Sequence, residues 1–192
     1  LASRLSYFLW SSMPDDALLD AAAAGTLGDE AVLRAQAERM LADPKAAALV
    51  DNFAGQWLFT RALGDHVPDY ATFPDYDPDL QAAMRAETRR YFADFVANDR
   101  PMTEFLTADW TYANDRLARH YELPLPGSTE LVKVSLAGAP RRGVLGHGSV
   151  LTVTSYPRRT SPVKRGKWVL DRNPCAPPAP PPPAVEALPE GP

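Results

Sequence analysis

Proline placement constrains this chain more than any other feature. Twenty prolines stand among 192 residues; each fixes its φ near −65°, lacks an N–H and steers the residue before it away from helix. Helices must therefore begin beside a proline or stop short of one. Between these marks apolar residues recur at helical spacing. Leu1, Leu5, Phe8 and Leu9, widened by Tyr7 and Trp10, predict a buried first helix. Pro14 with Asp15 and Asp16 opens a short helix that runs to Ala24 and stops at Gly25. Asp29 caps a helix bearing Val32, Leu33, Gln36, Met40 and Leu41, and Asp43-Pro44 restarts another through Leu49, Val50, Phe53, Trp57 and Leu58, which makes a hairpin. GDHVPDYATFPDYD, from Gly64 to Asp77, is a loop anchored by aromatics.

Asp77-Pro78 starts the longest helix, where Leu80, Met84, Glu87, Tyr91, Phe92, Phe95 and Val96 trace one stripe before Asn98 and Pro101 close it. Short helices follow at 103–107 and 114–121, and Leu123-Pro124-Leu125-Pro126-Gly127 bounds this part. Leu131, Val132 and Val134 predict a short strand with no evident partner. Residues 143–153 suit strand or helix, and Ser161-Pro162 opens a helix to Arg172. Nine prolines from Pro174 onward predict an extended spacer or a laid-down arm. The expected fold is mainly α: a bundle-like multi-helix domain, then a small basic module of a short strand plus a helix, then the proline-rich tail.

Charge is unevenly spread. Residues 1–132 carry 11 basic and 21 acidic side chains, whereas 133–172 carry nine basic ones against Asp171 alone. Opposite charges in one short chain have each other as nearest partners, so the cationic part is expected to dock on the acidic helices. With a sequence pI near 5.4 and no stacking motif for single strands, nucleic-acid binding is disfavoured. No apolar run approaches the roughly twenty residues needed to span a bilayer. One cysteine, Cys175, excludes an internal disulfide and any C-x-x-C-H motif.

The segments LASRLSYFLWSSMPDDALL, FAGQWL, ANDRLARHY and TSYPRRTSPVKRGKWVL together resemble the paired domains of unknown function 1592 and 1588. The resemblance implies a helical domain over 1–136, a basic module over 137–173 and a proline-rich linker over 174–192. It also implies a fragment of a large exported protein of planctomycetes or myxobacteria, periplasmic or at the cell surface, with haem c in neighbouring parts and no cofactor within this chain. The implied partners are other domains of the same parent protein and a redox partner. On this view the chain is a structural and interaction unit; the alternative is a catalytic or cofactor-contacting redox domain with an anion-binding pocket at the domain junction.

Arg158, Arg159, Arg165 and Lys167 are the candidate anion-binding residues, because guanidinium forks bind planar anions in bidentate fashion. His120, Ser155 and Trp168 are candidates to line a pocket beside them. Salt bridges to the acidic helices are the competing use of those cations, and a helix-end structural role is the competing use of His120. His147 in Gly146-His147-Gly148-Ser149 does not meet the G-x-S-x-G pattern of a hydrolase elbow. His66, His120 and His147 lack metal-ligand spacing, and Asp75, Asp77 and Asp79 lack the glycine and glutamate of a calcium loop, so no metal site is expected. Trp110 and Trp168 are expected to be the exposed tryptophans, with Trp10 and Trp57 in the core.

Overall fold

The computed structural model describes residues 1–65, 67–172 and 179. His66, Cys175 and the proline-rich segment fall outside them. Helices start where side chains satisfy the otherwise orphaned first-turn N–H groups, each such cap contributing about 1 kcal/mol. Helix α1 is Ala2–Trp10. Helix α2, Asp16–Ala23, is capped by the Asp15 carboxylate accepting from the Leu18 N–H at 3.1 Å, so Pro14 precedes the cap instead of entering the first turn. Helix α3, Glu30–Ala42, is capped by Asp29. Helix α4, residues 44–57, starts at Asp43 and runs from a 3₁₀ turn, Pro44–Ala46, through a π segment, Val50–Ala54, to Gly55–Trp57.

Asp77 caps α5, Pro78–Ala97, at 2.6 Å from the Leu80 nitrogen, with Pro78 in the first turn. Then come α6, Met102–Thr107, strand β1, Trp110–Ala113, and α7, Asp115–His120, capped by Asn114. The predicted strand is β2, Val132–Ser135, and its partner is β1: the two run antiparallel with Thr111 opposite Val134. Residues 143–153 are helical, as a turn at Val144–Gly146 followed by α8, Gly148–Val153. Helix α9 is Pro162–Arg172.

Three apolar clusters hold these elements. The first gathers Leu58, Tyr91, Phe92, Phe95 and Phe105 with Val144, Val150 and Trp168. The second joins Leu63, Leu80, Met84 and Leu117 to Val153, and the third packs Leu9, Trp10, Leu18, Met40 and Leu49 at the N-terminal end. Two of the three therefore draw on both the acidic helices and the basic segment. Trp168 is 6% exposed and donates its indole N–H to the Leu58 carbonyl at 3.2 Å. Trp110 is half-buried, stacked on Phe95 with 5.8 Å between ring centres. Neither is an exposed tryptophan. Tyr7 and Phe8, expected in the core, lie mostly in solvent because α1 buries its opposite face.

The basic segment does dock, but by a different force from the one its charge predicts. Arg158–Asp69 at 3.2 Å and Lys133–Asp94 at 3.7 Å are the lysine and arginine ion pairs joining 133–172 to the acidic part among the described residues, and Arg158 is 79% exposed. Exposed pairs of this kind contribute under about 1 kcal/mol. Close backbone packing does more. Gly143, at φ +47°, lies where a Cβ would sit 2.3 Å from the Leu106 carbonyl carbon, and a Cβ on Gly148 would meet Met84 at 2.8 Å. These two glycines let the segment settle against α6 and α5.

Candidate functional site: a polar cluster and a cleft on the seam

A charged side chain stands in the apolar stripe of α5. Glu87 falls between Met84 and Tyr91 on the inward face and is fully buried. Burial of a carboxylate costs heavily unless donors surround it. Thr111, pointing inward from β1, donates to Glu87 Oε1 at 2.6 Å, and Tyr121, just beyond α7, donates to Oε2 at 2.6 Å. The Gly148 N–H in turn donates to the Tyr121 hydroxyl at 2.6 Å. Desolvation outweighs these donors and pushes the Glu87 carboxyl up to about 7.

His147 is 2% exposed and enters the same cluster from the residue just before α8. Its Nδ1 is 2.9 Å from Thr88 Oγ1, whose oxygen is 2.6 Å from Ser149 Oγ; Nε2 is 3.5 Å from Thr111 Oγ1 and 3.9 Å from Glu87 Oε1. A neutral ring with its proton on Nε2, Thr88 donating to Nδ1 and Ser149 donating to Thr88 satisfies the set; these hydrogens are assigned from the geometry. Burial, then the Arg141 charge, pushes the imidazole down to about 3. Thr88 separates Ser149 from His147, and Ser149 is fully buried, so the two do not form a nucleophile and base open to a substrate. The cluster instead ties α5, β1 and the α7 end to the first turn of α8.

Outside this cluster lies a cleft of ≈ 510 Å³ walled by both parts of the chain. Val67, Phe73 and Met84 line it from the acidic part, and Leu151, Tyr156 and Arg159 from the basic one. Arg141 joins cleft and cluster. Its guanidinium lies 3.9 Å from the Tyr121 ring centre, and its Nη1 donates to the Gly146 carbonyl at 2.6 Å. No carboxylate among the described residues is within ion-pair distance of Arg141 or Arg159; the latter rests 5.2 Å from the Tyr156 ring centre. Desolvation and the Arg141 charge hold the His120 imidazole at the rim below its ordinary range. Asp65 and Asp75 also border the opening. Such a cleft accepts an apolar body and offers two arginines to an anionic group.

The residues singled out from sequence are spread more widely. His120, Ser155 and Arg159 line the cleft. Arg158 turns outward to Asp69, Arg165 Nε donates to Thr154 Oγ1 at 3.4 Å, and Lys167 pairs with Asp171 one helical turn on, at 2.7 Å. Trp168 belongs to the core. Arg141, Glu87, Tyr121, Thr88 and Thr111 were not among the candidates. A glutamate inside an otherwise apolar stripe was the available signal for the buried cluster. Among the described residues there is no group of three or more His, Cys, Asp or Glu side chains placed to hold a metal, and no helix long and apolar enough to cross a membrane.

Fold and site together define a mainly α-helical protein whose two segments share a core and enclose a cleft on their seam. The chain belongs to the PSD4 family, described as protein of unknown function (DUF1592), whose model matches residues 1–123. Residues 141–192 match a second family model, PSCyt3, described as protein of unknown function (DUF1588). Strand β2 lies between the two matched stretches. Neither the search of curated proteins nor that of solved structures found a match.

Proposed function

We propose that this chain is an interaction unit of a larger, exported, cytochrome-associated protein, and that the seam cleft is where it receives its guest. The guest is an apolar molecule or side-chain group bearing an anion. One observation carries this reading: Arg141 is fixed by Tyr121 and the Gly146 carbonyl, faces the cleft, and has no carboxylate partner among the described residues. An arginine held in place on its own scaffold loses little freedom when it pairs with a ligand. Haem c and the redox partner belong to other parts of the parent protein. This chain does not fit covalent haem attachment, because it has one cysteine and no C-x-x-C-H, and both ring nitrogens of the buried His147 face protein groups.

Titration with 8-anilinonaphthalene-1-sulfonate, which joins an apolar body to one anionic group, tests the reading. Saturable binding at one site is expected, weakened about tenfold or more in Arg141→Met and unchanged in Arg158→Ala. That tenfold change corresponds to a charge-assisted hydrogen bond of about 1.4 kcal/mol. Equal binding by wild type and Arg141→Met would remove the cleft from this role.

A further inference from the structure

A second hollow lies on the outer flank of α5, bounded by the π segment of α4 and the turn Thr60–Gly64, and its volume is ≈ 180 Å³. It differs from the seam cleft in charge, since there Arg141 and Arg159 are balanced by Asp65 and Asp75. Arg85 and Arg89 stand one helical turn apart on α5, and Arg61 reaches in from the turn. Asp51 is the acidic side chain of the lining, so the charge there is +2. Arg89 forms both of its bonds with Asp51. Arg61 donates to Asn52 Oδ1 at 2.7 Å and to the Asp51 carbonyl at 3.4 Å. Arg85 has no ion pair among the described residues.

Three like charges brought to one small hollow repel one another, and water screens that repulsion incompletely. The backbone is nonetheless shaped to keep them together. Gly55 leaves space that a Cβ would contest, since that atom would sit 3.2 Å from Arg61 Cγ and 3.4 Å from Arg61 Nε. The π segment widens the helix at Val50–Ala54, bringing Asp51 and Asn52 to hold Arg61 and Arg89; π bulges of this kind concentrate at functional positions. Buried Thr60 is also part of the lining.

We infer that this hollow is a binding site for a tetrahedral dianion, a phosphate or a phosphoryl group, held by Arg61, Arg85 and Arg89. The +2 charge of the lining offsets the −2 of the dianion, the hollow has the size of one oxyanion with its first waters, and guanidinium forks match its oxygens. The inference is independent of the seam cleft, from which α5 separates it. Thr88 lines the hollow and also bonds Ser149, so occupancy reaches the buried cluster through one side chain.

Calorimetric titration of the full chain with inorganic phosphate, at ionic strength fixed by chloride, is the test. Saturable one-to-one binding is expected in wild type, with at least tenfold weaker binding in Arg85→Gln and no change in Arg158→Gln. Gly55→Val keeps every charge but displaces Arg61, and should weaken binding about as much. Tighter binding of glycerol 3-phosphate than of phosphate would identify a pendant phosphoryl group as the target; equal or weaker binding would identify the free ion. Amide shifts in wild type should centre on residues 50–61 and 85–89. Phosphate binding unaffected by Arg85→Gln, a response no larger than that to chloride, or shifts centred on 141–159 would each overturn the inference.

Discussion

The two hollows flank the same helix, yet one is wide, balanced in charge and shared by both parts of the chain, while the other is small, carries a net charge of +2 and is built from the acidic part alone. The difference teaches where this chain uses its charges. Its cation-rich segment, 133–172, packs through Val144, Val150 and Trp168, while Arg141 and Arg142 donate to carbonyls, Arg165 to a threonine hydroxyl, and Arg158 makes an exposed pair with Asp69. Its acid-rich segment supplies the three arginines that line the smaller hollow. Net charge of a segment predicts neither its docking force nor the sign of its hollows, because both are set by a few residues at contact distance.

The largest effect should come from the apolar seam. Trp168→Ala removes a buried indole shared by both parts and is expected to cost about 3–5 kcal/mol, lowering the melting temperature strongly. Arg158→Ala removes the exposed pair with Asp69 and should cost under about 1 kcal/mol. Thermal unfolding of both variants checks the contrast. Comparable losses in the two would mean that charge holds the seam after all.

Next in size is the pH response of the buried cluster. The Glu87 carboxyl titrates at about 7 when folded against 4.5 ordinarily, so the folded state keeps a proton that the unfolded chain has lost, and stability falls as pH rises from 4.5 to about 7. The His147 imidazole titrates at about 3 when folded against 6.5, so the unfolded chain takes up a proton that the folded state refuses. Stability from His147 is thus complete above 6.5 and is lost as pH falls toward 3. The two slopes oppose each other between 4.5 and 6.5 and leave wild type nearly flat there. Glu87→Gln should unmask a rise with pH, and His147→Asn a fall, each about 1.4 kcal/mol per pH unit in urea unfolding. Parallel, flat profiles in both variants would break this account.

Much of the helical layout was legible because it is local. Asp29, Asp43, Asp77 and Asn114 each satisfy N–H groups two or three residues ahead, and that chemistry is written in neighbouring positions. Strand β1 was not legible: four residues, Trp110–Ala113, become a strand by pairing with β2 some twenty positions on. The π segment of α4 arises where the helix meets α5 and the Thr60–Gly64 turn, and no residue pattern within Val50–Ala54 announces it. Site residues divide in the same way. His120, Ser155 and Arg159 were visible as chemistry-bearing types near one another in a short stretch or at a helix end, whereas Arg141 owes its role to Tyr121, twenty positions back. Trp168 looked available because α9 is strongly basic around it, but burial follows the face a helix turns inward, not its average polarity.

The smallest effect sharpens the comparison between the hollows. Arg85→Gln should leave binding of 8-anilinonaphthalene-1-sulfonate within about twofold of wild type, and Arg141→Met should do the same for phosphate, because the side chains share no partner and α5 stands between them. A residual coupling has one evident route: Thr88 at the small hollow, Ser149 and His147 beneath it, and Gly148 at the cleft wall. Thr88→Val cuts that route while keeping volume. Titrating sulfonate with and without saturating phosphate, in wild type and in Thr88→Val, measures the difference. A twofold effect of phosphate in wild type that vanishes in Thr88→Val would place the coupling in the hydroxyl chain, and an effect that persists would place it in movement of α5 as a whole.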